Sequence, residues 1–185
     1  MADILVPLAQ GCEELEAITI TDLLTRADFN VVSAGLDAQA VTASRGMVLV
    51  PRMTLAEAMQ QEFDMIVLPG GQPGADHLNN DPRIHEFVKK MYAAGKYVAA
   101  ICAAPKILAD AGLLQGKRAT SFPGAITNIE QYGIDYQEQS IVIDGKIVTS
   151  RGPGTAMDFA LTLIELLAGK AKRDEVEAPL QRPTA

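Results

Sequence analysis

The stretch Lys96-Tyr97-Val98-Ala99-Ala100-Ile101-Cys102-Ala103-Ala104-Pro105-Lys106-Ile107-Leu108-Ala109 decides the fold. An apolar run rich in β-formers stops abruptly at a cysteine, and the residues after it have the composition and proline placement of a helix start. The reading is a buried strand, a tight turn and a helix. Ala100 and Ala104 flank Ile101-Cys102-Ala103 as glycines flank the serine in a G-x-S-x-G elbow, where a sharp strand-to-helix turn tolerates little bulk. Such a turn lifts the sulfur from the sheet edge and aims it at helix N-terminal amides, whose partial positive charge favours thiolate. A lone cysteine in an apolar run more often packs as a small hydrophobe; the elbow context makes Cys102 the candidate nucleophile.

Working outward, β-α alternation continues on both sides. Asp3 to Ala9 is a nearly continuous apolar run, as expected of a central strand covered on both faces. Gln10-Gly11-Cys12 makes a loop, Glu13 to Arg26 a helix with acids in its first turn, and Phe29 to Gly35 the next strand. Ala40 to Ala43 and Met47 to Val50 read as a small strand pair on the sheet edge, and Met53 to Gln60 as a short helix. Asp64 to Pro69 is a buried strand broken by Gly70-Gly71-Gln72-Pro73-Gly74, and Pro82 to Ala94 is a helix.

Beyond the elbow helix, Lys117 to Phe122 reads as a short strand leading to a helix near Ala125 to Tyr132. Ser140 to Ile143 and Lys146 to Ser150 flank Asp144-Gly145, a two-residue turn suited to a type I′ hairpin. Arg151 to Thr155 caps an apolar helix over Ala156 to Leu167 that ends at Gly169, and Lys170 to Ala178 forms a last short helix. The expected architecture is α/β: one domain over 1–185, a three-layer α/β/α sandwich whose mostly parallel sheet gains an antiparallel hairpin.

Bulk properties narrow the function classes. With 185 residues, 48% hydrophobic and 21% charged, the chain can bury one good core. Two distant cysteines and no basic-apolar leader argue against a secreted disulfide framework and for the cytoplasm. No apolar run approaches the roughly 20 residues that cross a bilayer. A net charge of -7 disfavours anionic membranes and nucleic acid as partners. His77 and His85 lack metal-ligand spacing, so no metal is expected, and both read as solvent-facing.

In such a fold the crevice lies at the carboxyl ends of the strands, which gathers the loops after Ala9, Pro69 and Ile101. Glu16 shares an apolar stripe with Ile20, Leu23 and Ala27, so it should face inward; Glu14, on a more mixed face, should be solvated. A carboxyl in an apolar crevice beside a thiolate has its pKa raised by desolvation and like charge, and can serve as general acid and base. The plainer role for Glu16 is a helix N-terminal acid acting on the dipole alone. Gly70-Gly71 lets backbone amides approach a ligand or oxyanion, although a plain turn would use the same residues. A dinucleotide site is disfavoured, because the loop Gly11-Cys12-Glu13-Glu14 is acidic. On local sequence alone Arg26 and Arg45 read as solvated cations.

Together Gly11-Cys12-Glu13-Glu14-Leu15-Glu16, Val67-Leu68-Pro69-Gly70-Gly71, Ala99 to Pro105 and Thr149-Ser150-Arg151-Gly152-Pro153-Gly154-Thr155 resemble the Parkinsonism-associated deglycase branch of the DJ-one/PfpI superfamily. The likeness runs over almost the whole chain and is strongest to its bacterial, YajL-type members. It implies a flavodoxin-like homodimer without cofactor, with Cys102 reactive, Glu16 its protonated partner, and the Gly71 and Ala103 amides forming an oxyanion-type pocket. It also places Arg26 and Arg45 close to the site near the dimer interface. Two departures matter. Ala103 stands where the peptidase-like members have a histidine, which removes the base of a Cys-His protease. Phe122 stands where many animal members have a histidine, leaving Glu16 as the proton shuttle. Cys12, at the same sheet edge, is weighed as a redox partner against the commoner inert thiol.

Two functions follow from the same pair. One is cofactor-independent glyoxalase or deglycase chemistry on reactive dicarbonyls such as methylglyoxal, or on glycated substrates. The other is a redox-sensing stress protein or chaperone switched by oxidation of Cys102.

Overall fold

In the computed structural model, which describes residues 1–182, the short, nearly unbroken apolar runs at Asp3–Leu8, Met65–Leu68 and Tyr97–Ile101 are strands of one sheet. The chain opens with β1 (Asp3–Leu8), α1 (Glu14–Arg26) and β2 (Asn30–Gly35). Two short strands, β3 (Val41–Thr42) and β4 (Val48–Leu49), pair only with each other. The expected strand pair is therefore present, but it forms a separate two-stranded sheet rather than an extension of the main one. β5 (Met53–Thr54) leads directly into the single-turn α2 (Leu55–Ala58), where Thr54 and Glu57 form a reciprocal capping box.

β6 (Met65–Leu68), α3 (Gly74–Asn80), α4 (Pro82–Ala93), β7 (Tyr97–Ile101) and α5 (Pro105–Asp110) follow. Asp81 caps α4 by accepting from the Arg83 amide, Pro82 occupies its first turn, and Ile84, Phe87, Val88 and Met91 form its buried stripe. β8 (Arg118–Ala119) pairs in parallel with β9 (Asp135–Tyr136). Between them, residues 125–132 run as turns and not as the expected helix. Their apolar side chains Ile126, Ile129 and Tyr132 do pack on the core, so the spacing reports burial rather than helix. β10 (Ile141–Asp144), β11 (Ile147–Ser150), α6 (Ala156–Ala168) and α7 (Lys170–Glu177) complete the described chain.

The seven-stranded sheet has the order β10-β11-β7-β6-β1-β2-β5 and is parallel except for the β10–β11 hairpin. Alternate residues of each inner strand feed two cores. Leu5, Ile66, Leu68, Val98 and Ala100 face the layer of α2 to α5. Ile4, Val6, Met65, Val67, Ala99 and Ile101 face the layer of α1, α6 and α7. The architecture is a three-layer α/β/α sandwich. From β1 the chain steps to β2 on one side and returns to β6 on the other, so the strand order reverses between β1 and β6. Crevices for ligands form above such reversals.

Candidate active site

β6, β7 and β11 end level, with Leu68 beside Ala100 and Ser150 beside Ile101. Just past that edge Cys102 takes φ +64, a left-handed conformation uncommon for a residue with a side chain and costing on the order of 1 kcal/mol. Backbone bonds hold it from both sides. Its N–H donates to the Ser150 carbonyl at 2.9 Å, and its own carbonyl accepts from the Phe122 N–H at 2.7 Å. The turn turns the sulfur away from the β7 direction and into the gap beside β6.

Glu16 enters that gap from the first turn of α1 and is fully buried. Its inward direction follows from the stripe it shares with Ile20, Leu23 and Leu24. The Gly70 N–H donates to Glu16 Oε2 at 2.8 Å, and the Glu13 N–H donates to the Gly70 carbonyl at 2.9 Å. Gly70 is the hinge-pin of the arrangement: a Cβ there would stand 2.6 Å from Cys102 Cβ and 2.9 Å from Glu16 Oε2. At Gly71, with φ +92, a Cβ would stand 2.3 Å from the Glu13 nitrogen. Only glycines let the three loops close on one another.

The protons of the pair are displaced upward. Burial pushes the Glu16 carboxyl to about 7, against the pull of the Gly70 N–H and the Cys102 thiol. Burial, then the Glu16 charge, push the Cys102 thiol to about 12. This corrects the expectation that helix-start amides leave Cys102 a ready thiolate. The Gly71 and Ala103 amides do face the sulfur and favour its charge, but desolvation and the neighbouring carboxylate outweigh them. The pair carries at most one negative charge at neutral pH. Glu16 Oε1 is buried without a hydrogen-bond partner, so the carboxyl has one oxygen tied to Gly70 and one free to hold the proton.

Above the pair opens a cavity of about 400 Å³ lined by Glu13, Arg45, Gly71, Gln72, Cys102, Ala103, Phe122, Pro123, Gly124, Ala125 and Pro153. Arg45 is thus at the site. It is placed there by Glu14, whose carboxylate accepts from the Arg45 N–H at 2.8 Å and from Ser44 Oγ at 2.9 Å. Glu14 is consequently a loop clamp and not the freely solvated acid the sequence predicts. Ser44 Oγ lies equally 2.9 Å from Glu13 Oε2, and its single hydrogen serves one carboxylate at a time.

Arg26 is not brought to the site within this chain. It ends α1 ten residues after Glu16, about 15 Å along the axis, exposed and paired with Asp22 at 2.7 Å. Cys12 is fully buried beneath the Gly70–Gly74 loop, pushed up to about 11 by burial and then the Glu14 charge. Both cysteines are free. His77 is exposed, with Nδ1 2.8 Å from the Gln10 carbonyl, whereas His85 is half-buried with Nε2 2.8 Å from the Asn79 carbonyl. Among the described residues no group of three or more His, Cys, Asp or Glu could hold a metal ion, and no helix is long and apolar enough to cross a membrane. A larger cavity, about 550 Å³, lies over the ends of β1 and β2, but its lining, with His77 and Arg83 its only basic groups, contains no thiol. The structure places Phe122 in the cavity wall, where the resemblance put a near-site position, and adds Pro123 and Pro153, which sequence reasoning missed; the prolines beside Phe122 and Gly152 in turn-rich segments were the available signal.

Residues 2–166 match the model of the DJ-1/PfpI family. Protein DJ-1 homolog A of Arabidopsis thaliana is 42% identical over 179 residues, which are 96% of this chain and 46% of that protein. The chain therefore spans about half the length of that relative. A Caenorhabditis elegans protein named as a glutathione-independent glyoxalase is 34% identical over 96% of this chain and 94% of its own length. The crystal structure of Drosophila melanogaster DJ-1beta superposes with a TM-score of 0.91 at 38% identity, covering 99% of both chains.

Proposed function

Because the chain belongs to the DJ-1/PfpI family, we propose that it is a cofactor-independent cysteine enzyme converting reactive dicarbonyls, such as methylglyoxal, into hydroxy acids. The observation that carries this reading is the Cys102–Glu16 pair closed around Gly70 at the floor of an open cavity. A carboxyl pushed to about 7 is half-charged near neutral pH, which suits a group that must both take and return a proton.

As Cys102 Sγ bonds to the aldehyde carbon, the thiol proton passes to the Glu16 carboxylate and the carbonyl π pair moves to oxygen, beside the Gly71 and Ala103 amides. That oxygen takes the proton back, giving a hemithioacetal. Glu16 then removes the proton from the same carbon as the ketone oxygen takes one up, giving an enediol; the proton is returned to the neighbouring carbon as the hydroxyl on the sulfur-bearing carbon gives up its own. The former aldehyde carbon is thereby oxidised to a thioester and the ketone carbon reduced to an alcohol. Water breaks the C–S bond, releasing the acid and restoring the thiol. One dicarbonyl and one water give one hydroxy acid with no external oxidant.

The name borne by the Caenorhabditis elegans relative supports this reading. Glycated amino groups, which hold the same carbonyl carbons, are the deglycase extension of it, within the hydro-lyase or hydrolase classes. The test is lactate formation from methylglyoxal without glutathione; lactate no faster than with an equal concentration of free thiol defeats the proposal.

A second reading, a redox-sensing stress protein or chaperone, is favoured by one observation: Cys102 opens onto a cavity while Cys12 is sealed. We also propose a homodimer. Leu15 and Ile18 on α1 and Met47, Val48 and Val50 around β4 are exposed large hydrophobics, and Ile18, Leu49 and Val50 line one groove. A second copy seated there would cover them, and it supplies the only route by which Arg26 could approach a site. Two free thiols agree with the cytoplasm as the compartment.

A further inference from the structure

The cavity above Cys102 is larger than a three-carbon dicarbonyl needs; about 400 Å³ lies in the range that holds drug-sized ligands. Its walls also differ in chemistry. Glu13 and Arg45 form a polar side, while Phe122, Pro123, Ala125 and Pro153 form an apolar one. Phe122 is 49% exposed, yet it is anchored. Its N–H donates to the Cys102 carbonyl at 2.7 Å, its carbonyl accepts from Ser121 Oγ at 3.0 Å, and its ring lies against Gly152, where a Cβ would stand 3.4 Å from the ring carbon Cδ2. The residue carrying this ring is thus tied by its backbone to the nucleophile's own carbonyl, and ring and thiol line the same cavity. Flat rings pair with aromatic faces in offset or edge-to-face contact.

We propose that the preferred substrates of this site are 2-oxoaldehydes bearing an aryl group, with Phe122 as the specificity-determining residue; the inference rests on the dicarbonyl reading above. The aldehyde carbon sits over Cys102 Sγ and the substrate ring packs between Phe122 and Pro153. The neighbouring ketone oxygen turns toward Arg45. The chemistry is unchanged: sulfur adds to the aldehyde carbon, that carbon ends as the acid, the aryl ketone carbon ends as the alcohol, and one water is consumed. Phenylglyoxal accordingly yields mandelate.

The experiment compares initial kcat/KM for phenylglyoxal and methylglyoxal in the wild-type protein, in Phe122→Ala and in Phe122→Leu, which keeps apolar bulk without a ring. The wild type is expected to favour phenylglyoxal by about tenfold or more, Phe122→Ala to bring the ratio near one, and Phe122→Leu to keep only part of the preference. Equal or lower kcat/KM for phenylglyoxal in the wild type, or a preference that survives in both variants, overturns the proposal. Turnover of neither compound defeats the catalytic reading, and alkylation then decides the aryl subsite by itself. Rates at which 2-bromoacetophenone and bromoacetone alkylate Cys102, with C–S bond formation and loss of bromide, are each divided by their rates with glutathione. An aryl advantage lost in Phe122→Ala upholds the subsite; equal normalised rates overturn it.

Discussion

Cys12 and Cys102 stand at the same edge of the sheet and in the same core cluster, and by resting acidity neither is a thiolate. Burial has pushed one to about 11 and the other to about 12. Burial thus holds the candidate nucleophile protonated as it does the sealed thiol. What separates them is access and a destination for the proton. Cys102 lines the cavity, holds φ +64 and shares Gly70 with a carboxyl, whereas Cys12 is sealed beneath the Gly70–Gly74 loop. On the proposed reading, reactivity comes from a proton acceptor within reach at the moment of attack rather than from a thiol kept charged beforehand.

The largest effect that would sharpen this contrast is on turnover. Cys102→Ser is expected to lower hydroxy-acid formation by about 10³-fold or more, while Cys12→Ser should stay within about threefold, each read as lactate per minute from methylglyoxal. Comparable losses in both would break the comparison.

Glu16→Gln comes next, and it should move two quantities in opposite directions. Turnover is expected to fall by about 10²- to 10⁴-fold as the proton acceptor disappears. Stability should rise at alkaline pH. In the folded protein the carboxyl holds its proton up to about 7, against an ordinary 4.5. The unfolded chain therefore ionises first, and the folded state loses ground as pH climbs between those values, by roughly 3 kcal/mol once above both. Glutamine has no charge to bury and can still accept from the Gly70 N–H. The midpoint of urea unfolding should hence be higher for the variant at pH 8 and closer to wild type at pH 5. A variant with the same pH slope as wild type would mean that Glu16 is not buried as an acid.

The smallest effect is chemical selectivity without turnover. Under mild peroxide, peptide mass spectrometry should find oxygen added to Cys102 several-fold faster than to Cys12. Equal rates would show that the loop over Cys12 opens as readily as the cavity.

Much of this was legible in the chain. β1, β6 and β7 are apolar without alternation because both faces are covered, and that pattern has few other causes. The inward turn of Glu16 was readable because Ile20 and Leu23 share its stripe. Other features depended on contacts that no local pattern records. Helix α3 begins at Gly74, among residues that look like a loop, because Gly74 must pass close to the Cys12 backbone. Residues 125–132 carried a helical spacing that served only to seat Ile126 and Tyr132. Glu14 looked solvated because its partners, Ser44 and Arg45, are about thirty positions away. Arg26 stays away from its own chain's Glu16 for a reason of length: the 13-residue α1 cannot place both side chains at one end, so its expected place near the site depends on the proposed second copy.

Two backbone bonds, Cys102 N–H to the Ser150 carbonyl and Phe122 N–H to the Cys102 carbonyl, fix the backbone that carries the sulfur. Gly70 closes the space behind it. Because Cys102 lines the cavity, an oxygen added to that sulfur would compete for the volume a substrate would use. On the proposed reading the elbow would behave as a fuse: each molecule oxidised at Cys102 beyond the reversible stage would drop out of the catalytic population, with no change elsewhere in the fold required. The fraction still able to turn over would then be a running tally of the oxidant the protein has met.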